Sequence, residues 1–273
     1  MQLVRVTLCI ITAIAYICLR LLVSVVVKVP VCEIIYTLLC TSALMLVQLG
    51  FVTQVAGLRL RLGATLALVV VTMLLLVCTI GVESYLTSLK TVATSLVTWV
   101  GLLHDLFLIL FATSLGYMVG FIVREPNIIL PVALFAAAVD YWNVTWGMLS
   151  KTIRDNPEIV AKLSVTVPTP IGPTYTIGMG DFVFWALFFG VLYRFGMNTK
   201  ATFVLGYALL TVSLILVLLV GCVFPALVPM GLAVVVANMR FFKLSREELL
   251  ATLYVGGILL IFLSLSAFLF SRH

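Results

Sequence analysis

Polar residues fall in short clusters along the chain, separated by apolar stretches of similar length. The clusters "KVPVCE", "GLRLRLG", "VREPN", "RFGMNTK" and "MRFFKLSREE" hold most of the charges. The apolar windows between them run to about 18–25 residues, enough for a helix to cross about 30 Å of hydrocarbon. They lie near 3–27, 31–55, 63–82, 105–123, 127–149, 176–196, 201–223, 225–241 and 249–270. The segment 84–103, with its serines, threonines and Lys90, reads either as a weak span or as an interfacial helix. The pattern predicts an all-α polytopic membrane protein of about nine transmembrane helices, ten if 84–103 crosses. Basic residues flank both sides under either count, so the positive-inside rule gives no orientation.

One connection breaks the pattern. Residues 151–175, "KTIRDNPEIVAKLSVTVPTPIGPTY", form the only long polar link. It opens with a short helix-like stretch. "LSVTVPT" and "TYTIG" then alternate apolar and polar residues around the turn "PTPIGP", a strand-like period of two. Two readings stay open: an extended edge able to add a strand to an incoming peptide, or an irregular proline-rich loop.

Composition excludes a soluble domain. Of the 273 residues, 64% are hydrophobic and 10% charged, where soluble chains are about half apolar and a quarter charged. The net charge of +6 is then best matched to lipid headgroups, and no nucleic-acid partner is expected. The six cysteines lie in or beside apolar runs without a CxxC pair, so they read as small apolar side chains, with no metal or cofactor implied. Arg5 precedes an apolar run with no clear A-x-A site, so the first helix is expected to be retained.

Few ionisable residues fall deep in the windows. Glu33, Glu83, Arg124 and Arg194 lie near predicted ends, and Arg20 has no evident role. His104 and Asp105 stand at a predicted helix start and read as interfacial. Asp140, in "ALFAAAVDYWNVTWG", and Asp181, in "TIGMGDFVFWAL", are different, because a carboxylate inside a span is costly and usually faces a wet cavity. If an interface lies near Trp146, Asp140 is about 9 Å from it at 1.5 Å per residue, and Asp181 is about 8 Å beyond Thr176. The loop 151–175 puts these helix ends on one side, so the two acids can lie at one depth. Close carboxylates in a poorly solvated site share a proton. One can then activate a water while the other, protonated, polarises a carbonyl. Gly178 and Gly180, either side of Met179, leave room for a substrate backbone. In "GCVFPALVPMGL", Pro225 and Pro229 open a later apolar segment and expose backbone groups that need protein or a cavity to satisfy them.

An Asp in one helix, GxGD at the next and PAL at a later one resembles the motif order of the presenilin and signal peptide peptidase family of intramembrane aspartyl proteases. "AAAVDYWNV" resembles the family's YD helix, "IGMGD" its GxGD motif and "FPALVP" its PAL motif, over residues 105–240. The resemblance implies a presenilin-like bundle with a short strand-like segment before the GMGD helix. It implies Asp140 and Asp181 as the catalytic pair, with Gly178, Met179, Gly180, Pro225, Ala226, Leu227 and Tyr141 at the substrate. It implies transmembrane-helix peptides as substrates and no cofactor. Val139 stands where the family has tyrosine, the PAL motif continues as PALVP, and segment 249–270 follows the helix with which the family normally ends. The short loop between the aspartate helices favours an enzyme that needs no accessory subunit.

The expected division is 1–104 for N-terminal helices, 105–241 for the catalytic core and 242–273 for an extra C-terminal helix. A prepilin peptidase would carry a basic residue soon after GxGD and a cysteine-rich insert, which "GMGDFVFWAL" lacks. The alternative from another class is a transporter or channel in which the two aspartates carry protons or cations. "NVT" at 143–145 fits a glycosylation sequon, but at predicted membrane depth.

Overall fold

The computed structural model describes residues 2–25, 33–58, 60–89, 94–145, 162–167, 175–220 and 224–270. These form nine α-helices and one hairpin: α1 Gln2–Val25, α2 Glu33–Ala56, α3 Leu62–Ser88, α4 Thr94–Gly120, α5 Ile129–Thr145, β1 Ser164–Val167, β2 Tyr175–Gly178, α6 Met179–Arg194, α7 Thr199–Val220, α8 Leu227–Asn238 and α9 Arg246–Phe270. Six of them, α1 to α5 and α7, are long and apolar enough to cross a membrane. The coarse architecture is therefore helical and polytopic, as the window pattern predicts.

The segment 84–103 is not a span of its own. Its first residues close α3 and its last open α4, so the window near 105–123 is the second part of a 27-residue helix. The proposed 104/105 division thus falls inside α4. Strand alternation is borne out at its core: β1 and β2 pair antiparallel, with Val165 opposite Ile177 and Thr166 opposite Thr176. The helix-like start of the loop, 151–161, lies outside the described residues.

Polar side chains inside the apolar helices satisfy themselves locally. Thr65, Thr72 and Thr79, seven residues apart on one face of α3, donate to the carbonyls of Arg61, Leu68 and Leu76 at 3.1, 2.7 and 2.8 Å. No water competes for these groups in hydrocarbon, so such back-bonding lets threonine sit in a span.

The chain divides into two compact units. The first comprises residues 1–121 and 158–190, the second 122–157 and 191–273. In the first, α3 packs on α4, α1 on α2, and α4 on α2, α1 and β1. Helix α6 brings Phe182, Trp185, Ala186, Phe188 and Phe189 into its core, all fully buried. The middle of α6 is apolar on all sides, as in a core helix, and the indole N–H it carries there is met: Trp185 Nε1 donates to Thr53 Oγ1 at 2.9 Å. Gly116 of α4 lies against the Val183 carbonyl of α6, an approach with no room for a Cβ.

In the second unit, α8 packs on α5 and α7, and α9 on α5. Gly231 of α8 faces the Ala133 carbonyl of α5, and a Cβ there would sit 3.3 Å from that oxygen. The α6–α7 turn places Gly196 at φ +64°, and Met197 N–H donates to Leu192 O at 2.9 Å, a Schellman ending. Asn238, fully buried, bonds Thr202 Oγ1 at 2.8 Å and Val234 O at 2.9 Å and accepts Asn198 N–H at 2.8 Å. Helix α9 opens with a capping box in "SREE": Ser245 N–H donates to Glu248 Oε2 at 2.7 Å and Glu248 N–H to Ser245 Oγ at 3.2 Å. Asn127, just before α5, donates to both Glu248 and the Lys243 carbonyl, tying the two helix starts together.

Candidate active site

Asp140 stands near the C-terminal end of α5, half-buried. Its Oδ2 accepts the main-chain N–H of Leu227 at 2.9 Å. The local sequence explains why that donor is available. A helix leaves its first N–H groups without internal partners, and Ala226, the residue preceding α8, has no side-chain cap to offer. Pro225 and Pro229 carry no N–H at all. The first turn of α8 therefore presents few donors, and Asp140 supplies from another helix the carboxylate that a capping residue would normally provide. The negative charge also meets the positive end of the helix dipole. Pro225 and Leu227 are buried and Ala226 is partly so. Two of the three motifs are thus in direct contact across 87 residues of sequence.

The third motif is built differently. Gly178 ends β2 and Met179 begins α6 with no intervening loop. The ladder continues into the helix, for Met179 N–H donates to Leu163 O at 3.1 Å. Asp181 follows in the first turn of α6, half-buried, where a carboxylate also favours the helix dipole. Its Oδ2 lies 3.8 Å from where a Gly178 Cβ would be, so the side chain turns back toward the strand. A Cβ on Gly180 would meet no described atom within 4 Å, which leaves open space beside the acid.

Asp140, Pro225, Ala226 and Leu227 thus come together in the second unit, and Gly178, Met179, Gly180 and Asp181 in the first. Tyr141 is 40% exposed on α5, and its carbonyl accepts the Thr145 hydroxyl. No group of three or more His, Cys, Asp or Glu with metal-ligand proximity occurs among the described residues.

The sequence reading misplaced one cluster. His104 and Asp105 are not interfacial: they lie mid-way along α4 and are buried, Asp105 to 3% exposure. Arg20 of α1, which the sequence left without a role, pairs with Asp105 Oδ2 at 3.0 Å, and Tyr16 donates its hydroxyl to the same oxygen at 3.3 Å. The error followed from starting the helix at 105. The spacing of Tyr16 and Arg20, four apart on one face of α1, was the available signal. Pairing settles the charge: an isolated ion would be very costly there, whereas a matched pair with further hydrogen bonds is tolerated.

No family model, curated protein or solved structure matches this chain.

Proposed function

We propose that the chain is an intramembrane aspartyl protease of presenilin-like arrangement, hydrolysing peptide bonds within transmembrane helices of other proteins. The observation that carries this reading is the Asp140–Leu227 hydrogen bond. It joins the Asp motif of one helix to the PAL motif of another, a contact that a chance occurrence of three short motifs would not require. The direct run of a β-hairpin into the GMGD turn supports it further.

In this reading Asp140 and Asp181 approach each other during turnover and share one proton. The ionised member takes a proton from water as it attacks the scissile carbonyl, and the protonated member donates a hydrogen bond to that carbonyl oxygen. The pair then returns the proton to the departing amine. Gly178, Met179 and Gly180 give the substrate backbone clearance beside Asp181. Pro225, Ala226 and Leu227 hold the substrate beside Asp140, with Tyr141 next to it. The bilayer holds the substrate, and the reaction needs no cofactor, metal or accessory subunit.

The test is cleavage of a single-span helical substrate by the purified protein, with a hydroxyethylene peptide as inhibitor. Loss of cleavage in both Asp140→Ala and Asp181→Ala with retained fold supports the assignment. Full proteolysis by either variant sinks it. Aspartate-dependent proton or cation flux without proteolysis would assign the chain to the transporter class instead.

A further inference from the structure

Hydrogen bonds in the second unit gather its helix ends onto one side. The Arg194 guanidinium, at the finish of α6, donates to the Val123 carbonyl in the connection that leads into α5. Asn127, later in that connection, donates to the Lys243 carbonyl at 3.1 Å and to the Glu248 carboxylate in the first turn of α9. Asn198 N–H, just before α7, donates to Asn238 Oδ1 at the finish of α8, 2.8 Å away. The starts of α5, α7 and α9 and the finishes of α6 and α8 therefore share one end of the unit. This grouping needs no count of membrane crossings.

That end is basic. Arg124, Arg194, Lys200, Arg240, Lys243 and Arg246 all lie there, and all are exposed. The described residues of the second unit contain no other Lys or Arg. Glu125, Glu247 and Glu248 are the acids beside them. Two of the guanidiniums lie over aromatic rings, Arg194 on Phe195 at 4.9 Å and Arg240 on Phe241 at 5.3 Å. Basic and aromatic side chains together suit a headgroup layer. By sequence, Lys151 and Arg154 follow α5 and Arg272 closes the chain, so the contrast is six against three. The first unit is balanced by sequence. Arg5, Arg59 and Arg61 flank the start of α1 and the α2–α3 connection, while Lys28, Lys90 and Lys162 flank the α1–α2 connection, the α3–α4 connection and β1.

Lys and Arg in short connections are retained on the cytoplasmic side of a membrane, and acids weigh little in that choice. We propose that the second unit sits with this basic end in the cytoplasmic leaflet, so that Asp140 and the start of α8 lie toward the non-cytoplasmic side. The anionic headgroups of the cytoplasmic leaflet then meet the six basic side chains. Asp140 stands about 17 Å along α5 from Ile129, at 1.5 Å per residue. Leu227, which it caps, opens a helix whose other end, Asn238, belongs to the basic end. Helix α6 runs the same way, with Asp181 in its first turn and Arg194 in its last. The orientation itself does not depend on catalysis. Its consequence rests on the protease reading: water reaches the acids from the non-cytoplasmic side, and the bonds cut lie in the non-cytoplasmic half of the substrate's span.

The test maps the full-length chain in sealed membranes. Trypsin added to inside-out vesicles should cut wild-type protein after Arg240, Lys243 and Arg246. In right-side-out vesicles the same cuts should be lost until detergent is added. A cysteine map repeats the measurement in intact cells, with a membrane-impermeant maleimide and a background in which the six native cysteines are replaced. Glu247→Cys, exposed at the basic end, should stay unlabelled until the cells are permeabilised. Thr145→Cys, exposed at the finish of α5, should be labelled from outside. If the cysteine-free background fails to fold, trypsin on the wild-type chain decides; if trypsin cuts in neither vesicle, the cysteine map decides. Cuts at 240–246 in right-side-out vesicles, or reversed or equal labelling of the two cysteines, overturn the orientation. Neither readout requires cleavage activity, so an inverted map rejects the orientation alone, and an inactive enzyme rejects the protease reading alone.

Discussion

Asp140 Oδ2 and the Leu227 N–H, 2.9 Å apart, make a catalytic candidate into the N-terminal cap of another helix. The two duties can be separated by substitution. Asparagine keeps an oxygen acceptor and loses the acid, whereas alanine loses both. Asp140→Ala should destabilise the α5–α8 pair by about 0.5–2 kcal/mol, the usual worth of a cap. Asp140→Asn should lose much less, and both should lack cleavage activity. Denaturant or steric-trapping titration beside a cleavage assay checks this. Equal destabilisation by both would mean that the bond contributes nothing to the fold.

Gly180 offers a test of clearance. A Cβ there meets no described neighbour, and replacing a helical glycine with alanine is worth up to about 1 kcal/mol in favour of the helix. Gly180→Ala should therefore fold at least as well as wild type. If the open space is where the substrate backbone lies, cleavage should fall at least about tenfold, the equivalent of 1.4 kcal/mol. Unchanged kcat/KM would remove Gly180 from the substrate path.

The capping box of α9 gives a pH dependence with a defined sign. The Ser245 N–H, then the Asn127 side chain, hold the Glu248 carboxyl below the ordinary glutamate range. A depressed folded-state pKa contributes stability that is present above the unfolded value and lost as pH falls through the folded one. Protection of the first-turn amides of α9 should thus hold above about pH 4.5 and fall below it. Glu248→Gln should flatten that dependence, as read by hydrogen exchange of 244–250.

Asn238 satisfies partners on two helices from a fully buried position. Asn238→Leu removes the acceptor from Asn198 N–H and the donor to Thr202, at a cost of about 1–3 kcal/mol for groups left unpaired. Thermal or denaturant unfolding measures it. A neutral effect would show that other groups take over those bonds.

Much of this was legible in the sequence because a bilayer imposes its length on the chain. The positions of α1 to α3, α7 and α9 follow from apolar windows, and the hairpin from the period-two alternation of "LSVTV" and "YTIG". The start of α4 was not, because Ser, Thr and Lys90 blur its hydropathy while tertiary packing holds it helical. That one boundary hid the Arg20–Asp105 pair, whose partners lie 85 residues apart in sequence. Ion pairs between helices leave no local periodicity to read. The Asp140–Leu227 bond was beyond reach for the same reason, although the prolines around Leu227 marked a backbone in need of a partner.

The central claim is that Asp140 and Asp181 act as one catalytic pair, and the most direct measurement is whether they meet. Asp140→Cys and Asp181→Cys can be combined in a background with the six native cysteines replaced. A disulfide forms only when the two Cα atoms come within about 7 Å. The account predicts that mild oxidation accumulates a 140–181 disulfide, identified as joined peptides by mass spectrometry, and that a bound hydroxyethylene peptide suppresses it. The control pair Asp140→Cys with Leu227→Cys reports reactivity at position 140. Oxidation of that control without any 140–181 product would contradict shared catalysis.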